Sequence, residues 1–306
     1  MVFVTGAESY VGSYILLYLL QKGRKVRALK LKKKNPCINY NKFLEKVEWV
    51  EGSIIDLTSM QDSINGVREV FHAEEIIAFS KKDIELLEKI NIEGTSNIVN
   101  ICLNNGVKKF CYISSTSTLG IPNNEGFITE DSFFSFEEDS HSFYGKSKFL
   151  SEMEVWRGRS EGLNVVIVNP SIILDPFLIT EMIRKKDLHL KGMNSFVSAM
   201  DVAKCCIQLM EENLFNERYI LNSENIYFND FFSSGKERLK KFKIEYPDIN
   251  KSRKDLSLLM KKFCPKGIYS NEKIKKTLRF QFLPIKKILD EYFKHQFSKI
   301  TMFHHI

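Results

Sequence analysis

The chain has 306 residues, enough for two domains or for one large α/β unit with an appended lobe. An apolar fraction of 43% and a charged fraction of 27% exclude a disordered chain, a fibrous repeat and a disulfide-stapled miniprotein. The net charge of +7 comes mostly from lysine and accompanies an abundance of Asn, Ile and Phe, so it reads as compositional bias on a solvated surface, with no nucleic-acid partner expected.

In chain order, Val2–Val4 reads as a buried strand, followed by a helix from Tyr10 to Lys22 and strands at Lys25–Leu29 and Val47–Val50. Gln61–Ile64 falls in a short helix and Glu69–His72 in a strand. Asp83–Asn105 is a long amphipathic helix that stops at Asn105-Gly106. Lys109–Ser114 is a strand, Ser142–Arg159 a helix and Val165–Val168 a strand. After Pro170 the pattern loosens into a helix at Asp201–Glu212, a strand at Arg218–Leu221 and a lysine-rich helical segment from Phe228, broken at Pro247, Pro265 and Pro284. Strands alternating with helices of this length predict parallel pairing through right-handed crossovers. The expected fold is α/β, a Rossmann-type doubly wound parallel sheet with a small C-terminal lobe over its edge. The expected division gives residues 1–175 plus 196–222 to the Rossmann domain and 176–195 plus 223–306 to the lobe.

The six cysteines form no CxxC pair, and no Cys/His set has zinc spacing, so no metal site is expected. Buried free thiols suit a reducing cytoplasm. No cleavable leader is read before the first strand, and the longest apolar run, Tyr14 to Leu20, is far short of the roughly 20 residues that span a bilayer. His304-His305 reads as a frayed tail.

Thr5-Gly6-Ala7-Glu8-Ser9-Tyr10-Val11-Gly12 joins the first strand to the first helix. Glycines at such a turn let the backbone approach a pyrophosphate, which rests on the helix N-terminus. The pattern is GxxGxxG with Ser at its middle position, Ser9. The second strand runs into Lys30, Lys32, Lys33 and Lys34, with no acid to bind a ribose 2′-hydroxyl, so NADP is favoured over NAD.

Tyr144-Gly145-Lys146-Ser147-Lys148 sets a Tyr and a Lys on one helix face. An ammonium there lowers the phenol pKa from about 10 and equips the Tyr as general acid or base toward a carbonyl or alcohol. The spacing recurs at Tyr18/Lys22 and Tyr269/Lys273. Only Tyr144/Lys148 follows a strand ending in Ser114-Ser115-Thr116, where a hydroxyl can bind a substrate oxygen.

These features, in order, resemble the extended short-chain dehydrogenase/reductase family, also called the NAD-dependent epimerase/dehydratase family, and within it the dihydroflavonol-4-reductase-like members. The likeness includes Val70-Phe71-His72-Ala73, Asn91-Ile92-Glu93-Gly94-Thr95, Gly106-Val107-Lys108-Lys109-Phe110, Val168-Asn169-Pro170-Ser171, Asp201-Val202-Ala203 and Tyr269-Ser270-Asn271. The resemblance implies that Tyr144 is the general acid/base, that Lys148 binds the nicotinamide ribose and tunes Tyr144, and that Ser115 holds the substrate oxygen. It implies cofactor contacts from Thr5, Gly6, Ser9, Tyr10, Val11, Gly12, Lys30, Lys32, Ser53, Ile54, His72, Ala73, Asn91, Ser114, Lys148, Asn169, Pro170 and Ser171. It makes the small C-terminal lobe substrate-binding, and the partner expected is a small carbonyl or alcohol substrate, with no membrane and with a homodimer as the assembly suggested by analogy.

Departures cluster at the cofactor. Ser9 replaces a glycine, Ser53 stands for an aspartate, and Glu74-Glu75 stand where the family has small residues. Two carboxylates near a pyrophosphate cost affinity unless they point away or are neutralised. The expected activity is hydride transfer between a nicotinamide cofactor and a carbonyl/alcohol substrate. The alternatives are a nucleotide-sugar epimerase or dehydratase, and a non-catalytic Rossmann-like binding protein.

Overall fold

The computed structural model describes residues 1–31, 44–78, 80–120, 122, 125–136, 143–175, 179, 192–241 and 268–303, with side chains of the final helix as far as Lys294. Lys32–Lys34, Pro247, Pro265 and His304-His305 lie outside the described residues, as does most of the 176–195 segment.

The elements are β1 (Val2–Thr5), α1 (Tyr10–Gln21), β2 (Val26–Lys30), β3 (Glu48–Glu51), α2 (Leu57–Ser63) and β4 (Glu69–His72). Then come α3 (Ile84–Leu87), α4 (Gly94–Asn104), β5 (Lys109–Ile113), β6 (Phe127–Ile128), α5 (Phe143–Ser160), β7 (Asn164–Pro170) and β8 (Ile172–Leu174). The chain continues with β9 (Met193–Ser198), α6 (Ala199–Glu211), β10 (Glu217–Leu221), β11 (Glu224–Tyr227), α7 (Phe228–Lys241), β12 (Ile268–Tyr269), α8 (Glu272–Leu278) and α9 (Ile285–Phe303). Seven strands form one sheet in the order β10-β7-β5-β4-β1-β2-β3, and every pairing in it is parallel. The order reverses between β1 and β4, and a doubly wound sheet opens its ligand crevice there, beyond the strand C-termini. The expected fold is the observed one.

Alternation along β1 explains the layering. Val2 and Val4 face the cluster built with α1 and α6, whereas Phe3 faces the cluster built with α4 and α5. Both faces of the sheet are covered, so its strands are near-continuous apolar runs. Truncating fully buried Phe3 to Ala would cost about 3–5 kcal/mol.

A second core lies beyond the sheet. Ile172, Leu174 and Phe196 of a small sheet, ordered β11-β9-β8, pack against Phe228 and Phe231 of α7 and Ile285, Leu289 and Phe293 of α9. Strand β9 escaped the sequence reading because Met193-Asn194-Ser195 breaks the apolar run.

The long helix expected at Asp83–Asn105 runs unbroken from Ile84 to Asn104, but not all of it is α-helical. Residues Glu88–Glu93 form a π-helical stretch between α3 and α4. Such insertions disturb the i to i−4 ladder and often sit at functional sites. This one carries Asn91, buried against the crevice.

Candidate active site

The glycine turn comes first. Gly6 has φ +64°, a conformation open to glycine, and a Cβ there would lie 2.3 Å from the Ala73 carbonyl oxygen. A Cβ on Gly12 would lie 2.1 Å from the Gly6 carbonyl oxygen. The turn is therefore a tight backbone cradle at the N-terminus of α1, between the ends of β1 and β4. Ser9 has φ −70°, an ordinary value for an L residue, so the absent glycine brings no strain. Its hydroxyl accepts from the Gly12 N–H at 3.0 Å and caps α1. Tyr10 and Val11 open that helix. A pyrophosphate fits this cradle: the glycines admit the backbone, and the helix N-terminus offers N–H groups and positive potential.

At the β4 end, His72 is fully buried. Its Nδ1 lies 2.6 Å from the Thr5 hydroxyl and its Nε2 3.0 Å from the Thr95 hydroxyl. Burial first, and the Lys148 charge second, lower its pKa to about 3, so the ring is neutral and ties β1 to α4. Ala73 follows, with its carbonyl against Gly6.

Glu75 does not lie along the glycine turn. Its Oε2 accepts from the Tyr144 hydroxyl at 2.9 Å and lies 2.9 Å from the Lys148 ammonium. Lys148 is 1% exposed, donates to the Ile113 carbonyl at 2.9 Å, and stands 4.4 Å from the centre of the Tyr112 ring. Asn91 holds the loop that presents Glu75. Its Oδ1 accepts from the Ile76 N–H at 2.9 Å, and its Nδ2 donates to the Ile76 carbonyl at 3.1 Å and to Ser147 Oγ at 3.0 Å. The π-helical stretch thus places one amide to clamp both sides of residue 76.

This geometry overturns one electrostatic expectation. The sequence predicts that Lys148 lowers the Tyr144 pKa. Instead the phenol is pushed well above its ordinary value, first by burial and then by the Glu75 charge and hydrogen bond, with a Ser115 hydrogen bond pulling the other way. The carboxylate sits between the phenol and the ammonium and cancels the charge that would favour phenolate. Burial alone would lower the Lys148 pKa, but Glu75, and then Tyr112, reverse this and raise it. At neutral pH Tyr144 is a phenol and Lys148 a cation.

Below these groups lies a carboxylate that the sequence reading missed. Glu152 is wholly buried. Its Oε1 accepts from Ser114 Oγ at 2.5 Å, Thr118 Oγ1 at 2.9 Å and Asn169 Nδ2 at 2.7 Å, and its Oε2 pairs with Arg218 at 2.7 Å. One side chain therefore joins α5, the end of β5, the end of β7 and β10. Its spacing from Tyr144 and Lys148, eight and four residues on, puts all three on one face of α5 and was the available signal.

The remaining expected site residues divide. Ser115 is buried beside Tyr144, and its Oγ accepts from the Ser117 hydroxyl at 2.7 Å. Asn169 also donates to the Ser115 carbonyl at 3.1 Å, while its own buried Oδ1 has no partner among the described residues. Pro170 ends β7, and Ser171 turns its hydroxyl to Asn222 at 3.1 Å. Ile54 is a core side chain against Gly94, and its carbonyl accepts from Asn97. Ser53 follows Gly52 at the end of β3, with its N–H on Ser59 Oγ. The Lys30 ammonium stands 5.9 Å from the centre of the Trp49 ring. Lys32 lies outside the described residues. Among the described residues no group of His, Cys, Asp and Glu is arranged to hold a metal ion, and no helix is long and apolar enough to cross a membrane.

Comparisons with known proteins agree with the fold. The sequence profile of the NAD dependent epimerase/dehydratase family matches residues 2–221. A putative dihydroflavonol 4-reductase of Synechocystis is 27% identical over 238 residues, which cover 73% of this chain and 68% of that protein. Cinnamoyl-CoA reductase 1 of Petunia hybrida is 25% identical over 313 residues, covering 95% and 90%. Among solved structures, UDP-glucose 4-epimerase of Thermotoga maritima superposes with a TM-score of 0.75 at 21% identity, covering 96% of this chain and 99% of that one. The yeast methylglyoxal/isovaleraldehyde reductase complexed with NADPH gives 0.74 at 18%, covering 98% of each. The WbmH enzyme of Bordetella bronchiseptica, in complex with NAD+, gives 0.73 at 20%, covering 96% and 98%.

Proposed function

The chain belongs to the NAD-dependent epimerase/dehydratase family, and from that premise we propose that it is a nicotinamide-dependent oxidoreductase acting on a small carbonyl or alcohol substrate. The observation that carries this reading is the convergence of Ser115, Tyr144 and Lys148 at the ends of β5 and α5, across from a glycine cradle that fits a pyrophosphate. The reductases among the relatives support hydride transfer over the epimerase alternative.

Bound along the crevice, a nicotinamide dinucleotide would supply the hydride for a carbonyl carbon. The protein's part is to bind, orient and protonate. Gly6, Ser9, Tyr10, Val11 and Gly12 would hold the pyrophosphate at the α1 N-terminus. Ser115 would donate to the carbonyl oxygen and hold it beside Tyr144. Tyr144, kept protonated by burial and, until the cofactor arrives, by Glu75, would give its proton to that oxygen as negative charge develops there. Lys148 would then steady the phenolate and bind the ribose hydroxyls. Glu75 takes the same two donors, so it must leave the Tyr144–Lys148 pair as the ribose arrives. Asn91, clamped on Ile76, sets how far that loop can move. The C-terminal lobe would cover the substrate. Lys30 and Lys32 argue for NADP from the sequence, but the Lys30 ammonium stands 5.9 Å from the centre of the Trp49 ring.

Fluorescence titration with NADH and NADPH tests the reading. Saturable quenching is expected for at least one of them, and none at millimolar concentration would sink it. The Glu75 contact favours a non-catalytic reading if Tyr144 and Lys148 never release that carboxylate. Turnover of any carbonyl substrate would exclude it.

A further inference from the structure

Glu8 lies in the glycine turn, and its side chain crosses to the second strand. Its Oε1 accepts from the Leu31 N–H at 2.6 Å, just past the end of β2, and the residue is 8% exposed. Its other carboxylate oxygen has no hydrogen-bond partner among the described residues. In a doubly wound sheet the group that meets the adenosine ribose stands about 20 residues beyond the glycine turn, at the end of the second strand. Here that place is Lys30-Leu31, where the chain itself has no acid. The turn delivers one from the opposite side.

We infer that Glu8 is the specificity-determining residue for the cofactor's adenosine ribose, and that it selects NAD over NADP. The inference rests on the reading of the chain as a dinucleotide-dependent oxidoreductase. The Leu31 N–H fixes one carboxylate oxygen, and the other can accept from a ribose 2′-hydroxyl. A 2′-phosphate at the same place would bring a dianion against a part-buried carboxylate whose amide donor is already used. This reverses the preference expected from the lysines. Lys30, the described member of that run, stands against Trp49, while Glu8 touches the strand end directly.

Glu8→Gln keeps an acceptor oxygen for Leu31 and removes the charge, so thermal melting should be little changed. Titrating NADH and NADPH separately into the wild type and E8Q, by quenching or calorimetry, reads the ratio of dissociation constants. The wild type should bind NADH more tightly, and E8Q should shift the ratio toward NADPH by about tenfold, the weight of one screened charge pair. Binding of both with a ratio that E8Q leaves unchanged would overturn the role of Glu8 and leave the oxidoreductase reading standing. A wild type that prefers NADPH would also overturn it. Binding of neither would remove both.

Discussion

Glu75 and Lys148 form a 2.9 Å ion pair inside the crevice, and the same carboxylate oxygen accepts from Tyr144. The acid–base pair of the proposed chemistry is therefore already engaged by a side chain of its own chain. If a ribose must displace that carboxylate, removing it should help binding. Glu75→Ala is expected to tighten nicotinamide cofactor binding by about tenfold, on the scale of one competing hydrogen bond to a charged group. Equilibrium titration of both forms checks this. Weaker binding in the variant would mean that Glu75 supports the cofactor instead of competing with it.

Tyr144 tests the chemistry separately from the binding. Tyr144→Phe removes the proton donor and leaves the Glu75–Lys148 pair in place. Cofactor affinity should stay within about twofold, while kcat with any accepted carbonyl falls by about 100-fold or more, the range of positioned acid catalysis. Steady-state kinetics beside titration separates the two. A fall in KM alone, with kcat retained, would remove Tyr144 from the proton transfer.

His72 gives a pH signature of stability. Its folded pKa is about 3 against an ordinary 6.5, because burial and Lys148 disfavour the imidazolium. The folded state then binds fewer protons than the unfolded chain between these values. The stabilisation is complete above the unfolded pKa and is lost as pH falls toward 3. Between pH 7 and pH 5 the loss from this one group is about 2 kcal/mol. Urea unfolding of the wild type and His72→Gln across that interval should show the slope in the first and its reduction in the second.

Glu152 is expected to be the costliest carboxylate to lose. Replacing it with Ala leaves Arg218 without its counterion and strands Ser114, Thr118 and Asn169, a change of about 3–5 kcal/mol by denaturant unfolding. Glu154, on the outer side of the same helix with Arg157, should cost under about 1 kcal/mol. Equal effects at the two positions would show that the buried network carries no special weight.

The parallel sheet was legible because both of its faces are buried and its strands are short apolar runs between amphipathic helices. The positions of Tyr144, Lys148 and Ser115 followed from helical spacing and from the strand that precedes them. What could not be read was where long charged side chains turn. Glu75 was expected near the pyrophosphate, because position along the chain shows which strand end a residue follows and not the direction of its side chain. The Asn91 clamp on Ile76 supplies that direction, and it depends on a π-helical stretch with no sequence mark of its own. Glu8 reached β2 for the same reason: a contact across 23 residues has no local periodicity to announce it. Ser9 looked like a lost glycine, but its backbone needs none.

The central claim is hydride delivery to a carbonyl carbon with Tyr144 as the proton donor. The most direct measurement incubates the protein with NADH or NADPH deuterated at the transferred position and a panel of aldehydes and ketones, followed by mass spectrometry of the products. The account predicts an alcohol carrying one deuterium at the former carbonyl carbon with the wild type, and almost none with Tyr144→Phe. Saturable cofactor binding without any labelled alcohol across the panel, or equal labelling by both forms, would contradict it.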